Sequence, residues 1–486
     1  MGIVLKQSSR NTIIIFVAFA IGGINTLFLY TQFLTDTYYG LVVFLLSAAN
    51  LLMPLTAFGI QYTIVKFFAS YKTKSERDKF LSSAILLPLF IAVPIGFFGN
   101  VFYEQISSFL ASENSMIKDY TYVIYLVAIA TAYFEIFYAW SKVQLQSVFG
   151  NGIKELYHRI STMILLGLIW LEVINVQQFI WLMTASYFLR MLLMMWYAFK
   201  LYTPKFTLKL PDNFGEILKY SFYIILAGSA GAILLDIDKV MLPQKAAIEL
   251  TAYYTVGVFI ASVIEAPGRA MSQILQPLTS KAIQEGNTDE LKSLYKKSSI
   301  NLLLICGLFF LLINLNITEL YTLLPNKYSG GVFIVLMISI AKLYTMFLGN
   351  NGAIISNSKY YKVLLPYGIA MALSVTYLNI WLIDVYGMNG AALSTLLVIL
   401  FFNTIKLWYV KYKFNLLPFT NKSFLMVLLI VVFYGVFSFL NFDFHPLVNI
   451  VVKSAIIIIC YLFVVFKLNI SAEINQLVLK FTKGNQ

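Results

Sequence analysis

The amino-acid sequence predicts an all-α polytopic membrane protein of about fourteen transmembrane helices. Three observations lead there. Of the 486 residues 60% are hydrophobic and only 12% charged; the apolar residues gather into runs of about membrane-spanning length; and the loops between the runs alternate between lysine-rich and lysine-poor. So little polar surface cannot cover a water-soluble globule of this size. In lipid every backbone polar group must be satisfied internally, so runs of about 20 residues are read as helices.

Taken in order, the expected spans are 11–31, 39–59, 80–102, 120–140, 159–176, 178–200, 219–241, 251–273, 299–318, 330–349, 363–383, 388–409, 422–440 and 446–467. Spans five and six are the least clearly separated. Lys6 and Arg10 precede the first run as in a secretory signal, but that run is near full spanning length and has no small-residue cleavage pattern, so it is read as a retained span.

The excess of 13 positive charges lies mostly in the gaps between runs, which excludes a nucleic-acid-binding face and makes the charges topology signals. Lys66, Lys72, Lys74, Arg77 and Lys79 follow span two; Lys142, Lys154 and Arg159 follow span four; Lys200, Lys205, Lys209 and Lys219 follow span six. Lys281, Lys292, Lys296 and Lys297 follow span eight, Lys359 and Lys362 span ten, and Lys406, Lys411, Lys413 and Lys422 span twelve; Lys467, Lys480 and Lys483 close the chain. The opposite side holds only Lys118, Lys239, Lys245, Lys327 and Lys453. Both termini are therefore expected in the cytoplasm. Every loop is short, so no soluble catalytic domain is expected.

Prolines Pro54, Pro88, Pro94, Pro267 and Pro366 fall within or at the ends of spans and are expected to kink them. Cys306 and Cys460 lie in apolar runs and are read as packing residues, and His158 and His445 are isolated, so no metal site or nucleophilic catalytic set assembles from local spacing. No cofactor is expected, and no phosphate-binding loop with Gly-Lys-Ser or Gly-Lys-Thr is present.

Internal similarity suggests two halves. Trp196-Tyr197 before Lys200 is echoed by Trp408-Tyr409 before Lys411, Gly150-Asn151-Gly152 by Asn350-Asn351-Gly352, and Ala57-Phe58-Gly59 by Ala266-Pro267-Gly268. The expected organisation is an N-lobe of six helices over 1–204, a C-lobe of six over 205–415, and two added helices with a cytoplasmic tail over 416–486.

Charges within spans are costly, about 2.5–3.5 kcal/mol each at mid-bilayer on insertion scales, so each must face water or a partner. Arg190 near the middle of span six and Lys342 past the middle of span ten stand out. They suit an anionic ligand, Arg190 through its planar fork and Lys342 as a mobile point charge. Equally, they can pair with Glu135 of span four or Glu265 of span eight as helix locks, or Lys342 can snorkel toward the interface. Glu265 and Arg269 are four apart and share a helix face, which favours a local ion pair; the alternative makes Arg269 a first contact for an anionic head group and Glu265 a proton or cation site. Glu135 lies among Tyr133, Phe134, Phe137 and Tyr138, an apolar aromatic setting suited to proton coupling. Asp236 and Asp238 sit beside Lys239 in the outer part of span seven, where a local salt bridge or interfacial placement is favoured and Asp236 is a second-tier ion site. Tyrosine pairs near span ends are read as interface belts.

Several segments together resemble a family. They are Leu235-Asp236-Ile237-Asp238-Lys239-Val240-Met241-Leu242 with Tyr253-Tyr254, Glu265-Ala266-Pro267-Gly268, Gln276-Pro277-Leu278, Leu324 to Gly331, Asn351-Gly352, and Tyr386 to Leu393. In this order they are similar to the bacterial polysaccharide (O-antigen type) flippases of the multidrug/oligosaccharidyl-lipid/polysaccharide exporter superfamily. That resemblance implies a fold like the multidrug and toxin exporters of the superfamily. It further implies a transporter, not an enzyme, in the bacterial inner membrane, moving an undecaprenyl-pyrophosphate-linked sugar repeat unit to the outer leaflet by alternating access of two bundles around a central cavity. Coupling to H+ or Na+, contact with membrane lipids and other polysaccharide-assembly proteins as partners go with it. Arg190, Lys342 and Arg269 are then expected at the diphosphate, and Glu135, Glu265 and Asp236 at the coupling ion. A drug or cation antiporter of the same superfamily shares the helix core, but would call for an acidic, aromatic cavity. A membrane-embedded glycan polymerase or ligase would call for a large outer loop.

Overall fold

The computed structural model describes residues 2–471, so Lys480 and Lys483 lie outside the described residues. The chain is helical, with thirteen helices among the described residues long and apolar enough to cross a membrane. They are α1 (Ile13–Phe33), α2 (Asp36–Ala57), α3 (Lys74–Val101), α4 (Ile117–Val143), α6 (Val176–Leu201), α7 (Phe214–Lys245), α8 (Glu249–Ser272), α9 (Thr288–Leu315), α10 (Asn326–Phe347), α11 (Tyr361–Tyr386), α12 (Met388–Phe414), α13 (Asn421–Ser438) and α14 (Pro446–Lys467). The remaining expected span is α5 (His158–Trp170), which continues back through a wide turn at Ile153–Tyr157 to Val148. The all-α polytopic fold is thus as expected.

Span five ends at Trp170, short of residue 176, for two local reasons. Glu172 turns into the left-handed region (φ 57°), and Asn175 caps α6 by accepting from Gln178 N–H at 2.8 Å while Gln178 Oε1 accepts from Asn175 N–H at 2.9 Å. A similar capping box, Thr73 with Glu76, starts α3. Phe58 and Gly59, both left-handed (φ 47° and 66°), close α2 and redirect the chain into a short helix, Ile60–Phe67. A side chain at Gly59 would meet Ile224, so only glycine satisfies both the turn and the close approach. Pro54 lies inside α2, and Pro88 and Pro94 inside α3. In α8 the helix tightens to a 3-10 turn at Val263–Glu265 just before Pro267.

The helices pack as two compact units, Met1–Thr255 with Leu365–Ala391, and Val256–Leu364 with Ala392–Gln486. In the first, α4 packs against α2 and α6, and α2 against α7. Ala128, Ala130, Ala132 and Ala139 of α4 are almost fully enclosed, and such small residues let helix backbones approach closely. Phe134, Ile136 and Trp140 fill the core beside Ile64, Phe80 and Met194. In the second unit α9 is central and packs against α8, α10, α13 and α14. Its core includes Leu303, Cys306, Leu311, Ile430 and Ile457, and Tyr461 donates to the Leu304 carbonyl at 2.7 Å. The lobe boundaries drawn from the sequence, 1–204, 205–415 and 416–486, follow the repeat and remain a proposal about it.

Candidate functional site

The left-handed turn at Phe58–Gly59 has a consequence for charge: it brings Lys66, at the end of the helix that follows, back onto the first unit. There Lys66 Nζ stands 3.8 Å from the centroid of the Tyr220 ring. Lys142, in the last turn of α4, lies 4.4 Å from the Tyr138 ring centroid. Lys154 Nζ reaches Glu135 Oε1 at 2.7 Å. These three lysines and Glu135, with Met53, Gln61, Tyr62, Val65 and Tyr220, line a cavity of about 450 Å³ within that unit. Three ammonium groups against one carboxylate leave an electropositive chamber with aromatic walls, chemistry that suits a phosphate-bearing ligand. Hydropathy alone reads all three lysines as loop signals. The clues to their inward placement are the Phe58-Gly59 turn before Lys66 and the Gly150-Asn151-Gly152 run before Lys154.

Glu135 therefore sits beside a cation as well as its aromatic neighbours, and its ion-pair partner is Lys154 and not Arg190. Arg190, only 6% exposed, stacks its guanidinium 4.1 Å over Phe134 and 5.3 Å from Tyr187. Its Nε has no hydrogen-bond partner among the described residues. A buried guanidinium stacked on ring faces keeps that donor in reserve.

The family-like segment in α7 divides its two aspartates. Asp236 accepts from Lys239 at 2.9 Å, Ser47 at 3.2 Å and Asn50 at 3.3 Å, the local salt bridge expected from sequence with two neutral donors from α2 added. Asp238, two residues on and therefore about 200° around the helix, turns away to accept from Asn379 of α11 at 2.6 Å and from the Tyr254 hydroxyl. It is the more buried of the two, at 4% exposure. The tyrosine pair of α8 is thereby explained, since Tyr253 donates to Asp36 at 3.0 Å while Tyr254 serves Asp238. Tyr254 and Asn379 are site candidates that sequence reasoning passed over.

In the second unit Glu265, Arg269 and Lys342 come together. Lys342 Nζ donates to Glu265 Oε2 at 2.7 Å; Arg269 donates to Oε1 through Nε at 3.0 Å and through a second guanidinium nitrogen. Gly268 makes this possible: a side chain there would strike Met346, so its absence lets α8 approach α10 one turn from Lys342. The lock expected from i,i+4 spacing and the pairing of Lys342 with Glu265 coexist, and the triad keeps one surplus positive charge. Glu265→Gln removes the counter-charge from both cations. It should lower stability by about 2 kcal/mol, less than breaking a fully buried pair because Arg269 is 47% exposed. Thermal unfolding in detergent checks this: the double variant E265Q/K342M should recover most of the loss, and an E265Q protein as stable as the parent would refute the coupling.

Residues 8–269 match the family model described as polysaccharide biosynthesis protein. No curated protein matches the chain. Among solved structures, the fold is similar to that of the lipid II flippase MurJ in an inward closed conformation (15% identity, TM-score 0.70, covering 95% of this chain and 99% of that one). It is also similar to a transporter of the MOP superfamily from Pyrococcus furiosus, described as having a binding pocket of reverse polarity (14% identity, TM-score 0.62, 85% of this chain and 97% of that one). An inward-facing multidrug resistance MATE family transporter of the same superfamily matches at 12% identity and TM-score 0.58, over 85% of this chain and 95% of that one. Identities this low carry the fold alone; the family rests on the model that spans residues 8–269, and by it the chain, a multi-pass membrane protein with the fold of the MOP superfamily, belongs to the polysaccharide biosynthesis protein family.

Proposed function

We propose that the protein is a flippase that moves an undecaprenyl-pyrophosphate-linked oligosaccharide from the cytoplasmic to the outer leaflet of the bacterial inner membrane by alternating access. The observation that supports this most is the chamber in which Lys66, Lys142 and Lys154 outnumber Glu135. A diphosphate carries the charge that three ammonium groups are suited to receive, and Tyr62 offers a face on which the apolar side of a sugar ring can rest. A drug or cation antiporter calls for the opposite charge balance, so the chamber favours the flippase reading.

In this reading Arg190, with its unused donor, and the Arg269–Lys342 pair are further contacts for the head group as it moves. The carboxylates are the means of coupling to an ion gradient. Glu135 holds Lys154, Glu265 holds Lys342 and Arg269, and Asp236 holds Lys239. A proton or Na+ arriving at any of them would release the paired cation, which is how an ion can bias two conformations. The alternation of lysines in the loops supports a cytoplasmic side for both ends of the chain in this reading.

The test is direct. Purified protein in liposomes with a labelled polyprenyl-diphosphate oligosaccharide in one leaflet should expose that label to an external glycosidase faster than protein-free liposomes do. A MATE-type cation such as ethidium should not move. Ethidium transport without movement of the lipid-linked sugar would overturn the assignment.

A further inference from the structure

A second basic cavity lies apart from the lysine chamber, where the segment between α6 and α7 passes the start of α3. The segment runs without helix from Tyr202 to Pro211 and is pinned to α3, since the Thr207 N–H donates to Ser82 Oγ at 3.2 Å and Tyr202 donates to Asp78 Oδ1 at 2.7 Å. Burial and the Asp78 carboxylate push the Tyr202 phenol up to about 12, so it stays a donor and keeps that carboxylate engaged.

Along this segment apolar and basic side chains are interleaved. Phe206, Leu208 and Leu210 are 58%, 77% and 54% exposed. Lys205 and Lys209 lie between and beside them, and with Lys74 and Lys79 of α3 they line a cavity of about 490 Å³ that Phe206 enters from the apolar row and that also includes Ser75, Asp78 and Thr207. Four lysines outnumber the one carboxylate of the lining, Asp78, which accepts from Tyr202; nearby, Asp212 lies 3.6 Å from Lys79 with its side chain 92% exposed, and Glu76 is occupied by the Lys72 and Thr73 N–H groups at 3.1 Å each. Lys74 moreover stands in the first turn of α3, at the positive end of its dipole, a position where anions and not cations are favoured. A row of exposed apolar side chains next to four ammonium groups, at the ends of membrane-spanning helices, matches the layering of a lipid surface, acyl chain beside phosphate.

We propose that this cavity binds the phosphate of an anionic glycerophospholipid, with Phe206, Leu208 and Leu210 set among its acyl chains. The site is independent of the flippase reading, because it uses none of the residues assigned to the transported head group. It gives the 202–211 segment a fixed seat on the lysine-rich face of the bilayer.

Native mass spectrometry of the full chain in detergent, titrated with phosphatidylglycerol or phosphatidylcholine, tests it. The parent protein should retain phosphatidylglycerol in preference to phosphatidylcholine. The variant K74Q/K79Q/K205Q/K209Q should lose affinity for phosphatidylglycerol by about tenfold or more. A control with the same loss of charge elsewhere, K281Q/K292Q/K296Q/K297Q, should retain it. L208Q in the parent should weaken phosphatidylglycerol binding too. Equal loss in the control, equal retention of both lipids by the parent, or full displacement of phosphatidylglycerol by millimolar inorganic phosphate with no effect of L208Q would overturn the proposal. Lys79 and Lys296 are half-buried and the other substituted side chains exposed, and none belongs to a hydrophobic core, so thermal unfolding of each variant should match the parent.

Discussion

Exchanging Lys66 and Lys142 together for glutamine should reduce movement of the lipid-linked oligosaccharide by about a hundredfold, while leaving the protein folded in the membrane. Each lysine, if it meets a phosphate oxygen, supplies a charge-assisted hydrogen bond of about 1.5–3 kcal/mol, and two lost at the lower figure give about that factor. These two are the informative pair because each contacts aromatic faces, Lys66 over Tyr220 and Lys142 over Tyr138, and neither is Glu135's ion-pair partner. Lys154 is left alone: removing it strands Glu135, whose side chain is 13% exposed, and would confuse a structural loss with a functional one. The double variant K66R/K142R keeps both charges and should keep most of the transport. Glycan on the cell surface and leaflet exchange in liposomes are the two measurements. Normal values of both in K66Q/K142Q would remove the lysine chamber from the transport path.

The helices were legible because lipid leaves the chain few alternatives. Apolar length and the alternation of lysines located most span ends to within several residues; α9 starts well before the expected 299, at Thr288, because its first turns are too polar for hydropathy to count, and the early end of span five came from a left-handed Glu172 and the Asn175 capping box, which hydropathy does not register. The site was legible only where its residues are close in sequence. Glu265 and Arg269 are one helical turn apart, and their pairing follows from spacing. Lys342 joins them from 77 residues away, a contact that depends on how closely α8 and α10 pack at Gly268. Asp236 and Asp238 offered a signal that periodicity could have used, since residues two apart on a helix cannot face one way; one takes Lys239 and the other Asn379. The lysine chamber was hidden for a different reason. A lysine just past a span satisfies the topology rule equally well whether it points to water or folds back into a cavity, and only the turn at Phe58–Gly59 distinguishes the two for Lys66.

Arg190→Met should cut transport by about tenfold or more without lowering thermal stability, a combination that a helix lock cannot produce. The guanidinium is 6% exposed and its Nε finds no acceptor among the described residues. Leaving a buried donor unsatisfied costs about 1–3 kcal/mol. Its stacking over Phe134 and Tyr187 returns about 0.5–2 kcal/mol. Methionine fills similar space, keeps contact with the rings through a polarizable sulfur and has no donor to desolvate, so the folded state should be at least as stable. What is lost is one charge-assisted contact to a passing phosphate, about 1.5–3 kcal/mol or roughly 10–150-fold in rate. Arg190→Lys separates charge from geometry: a retained point charge should restore part of the transport, and the missing planar fork should keep it below the parent. Unfolding midpoint and leaflet exchange, measured on the same preparations, decide the matter. An R190M protein with a lower midpoint and unimpaired transport would make Arg190 a packing element and leave the lysine chamber to bind the diphosphate without it.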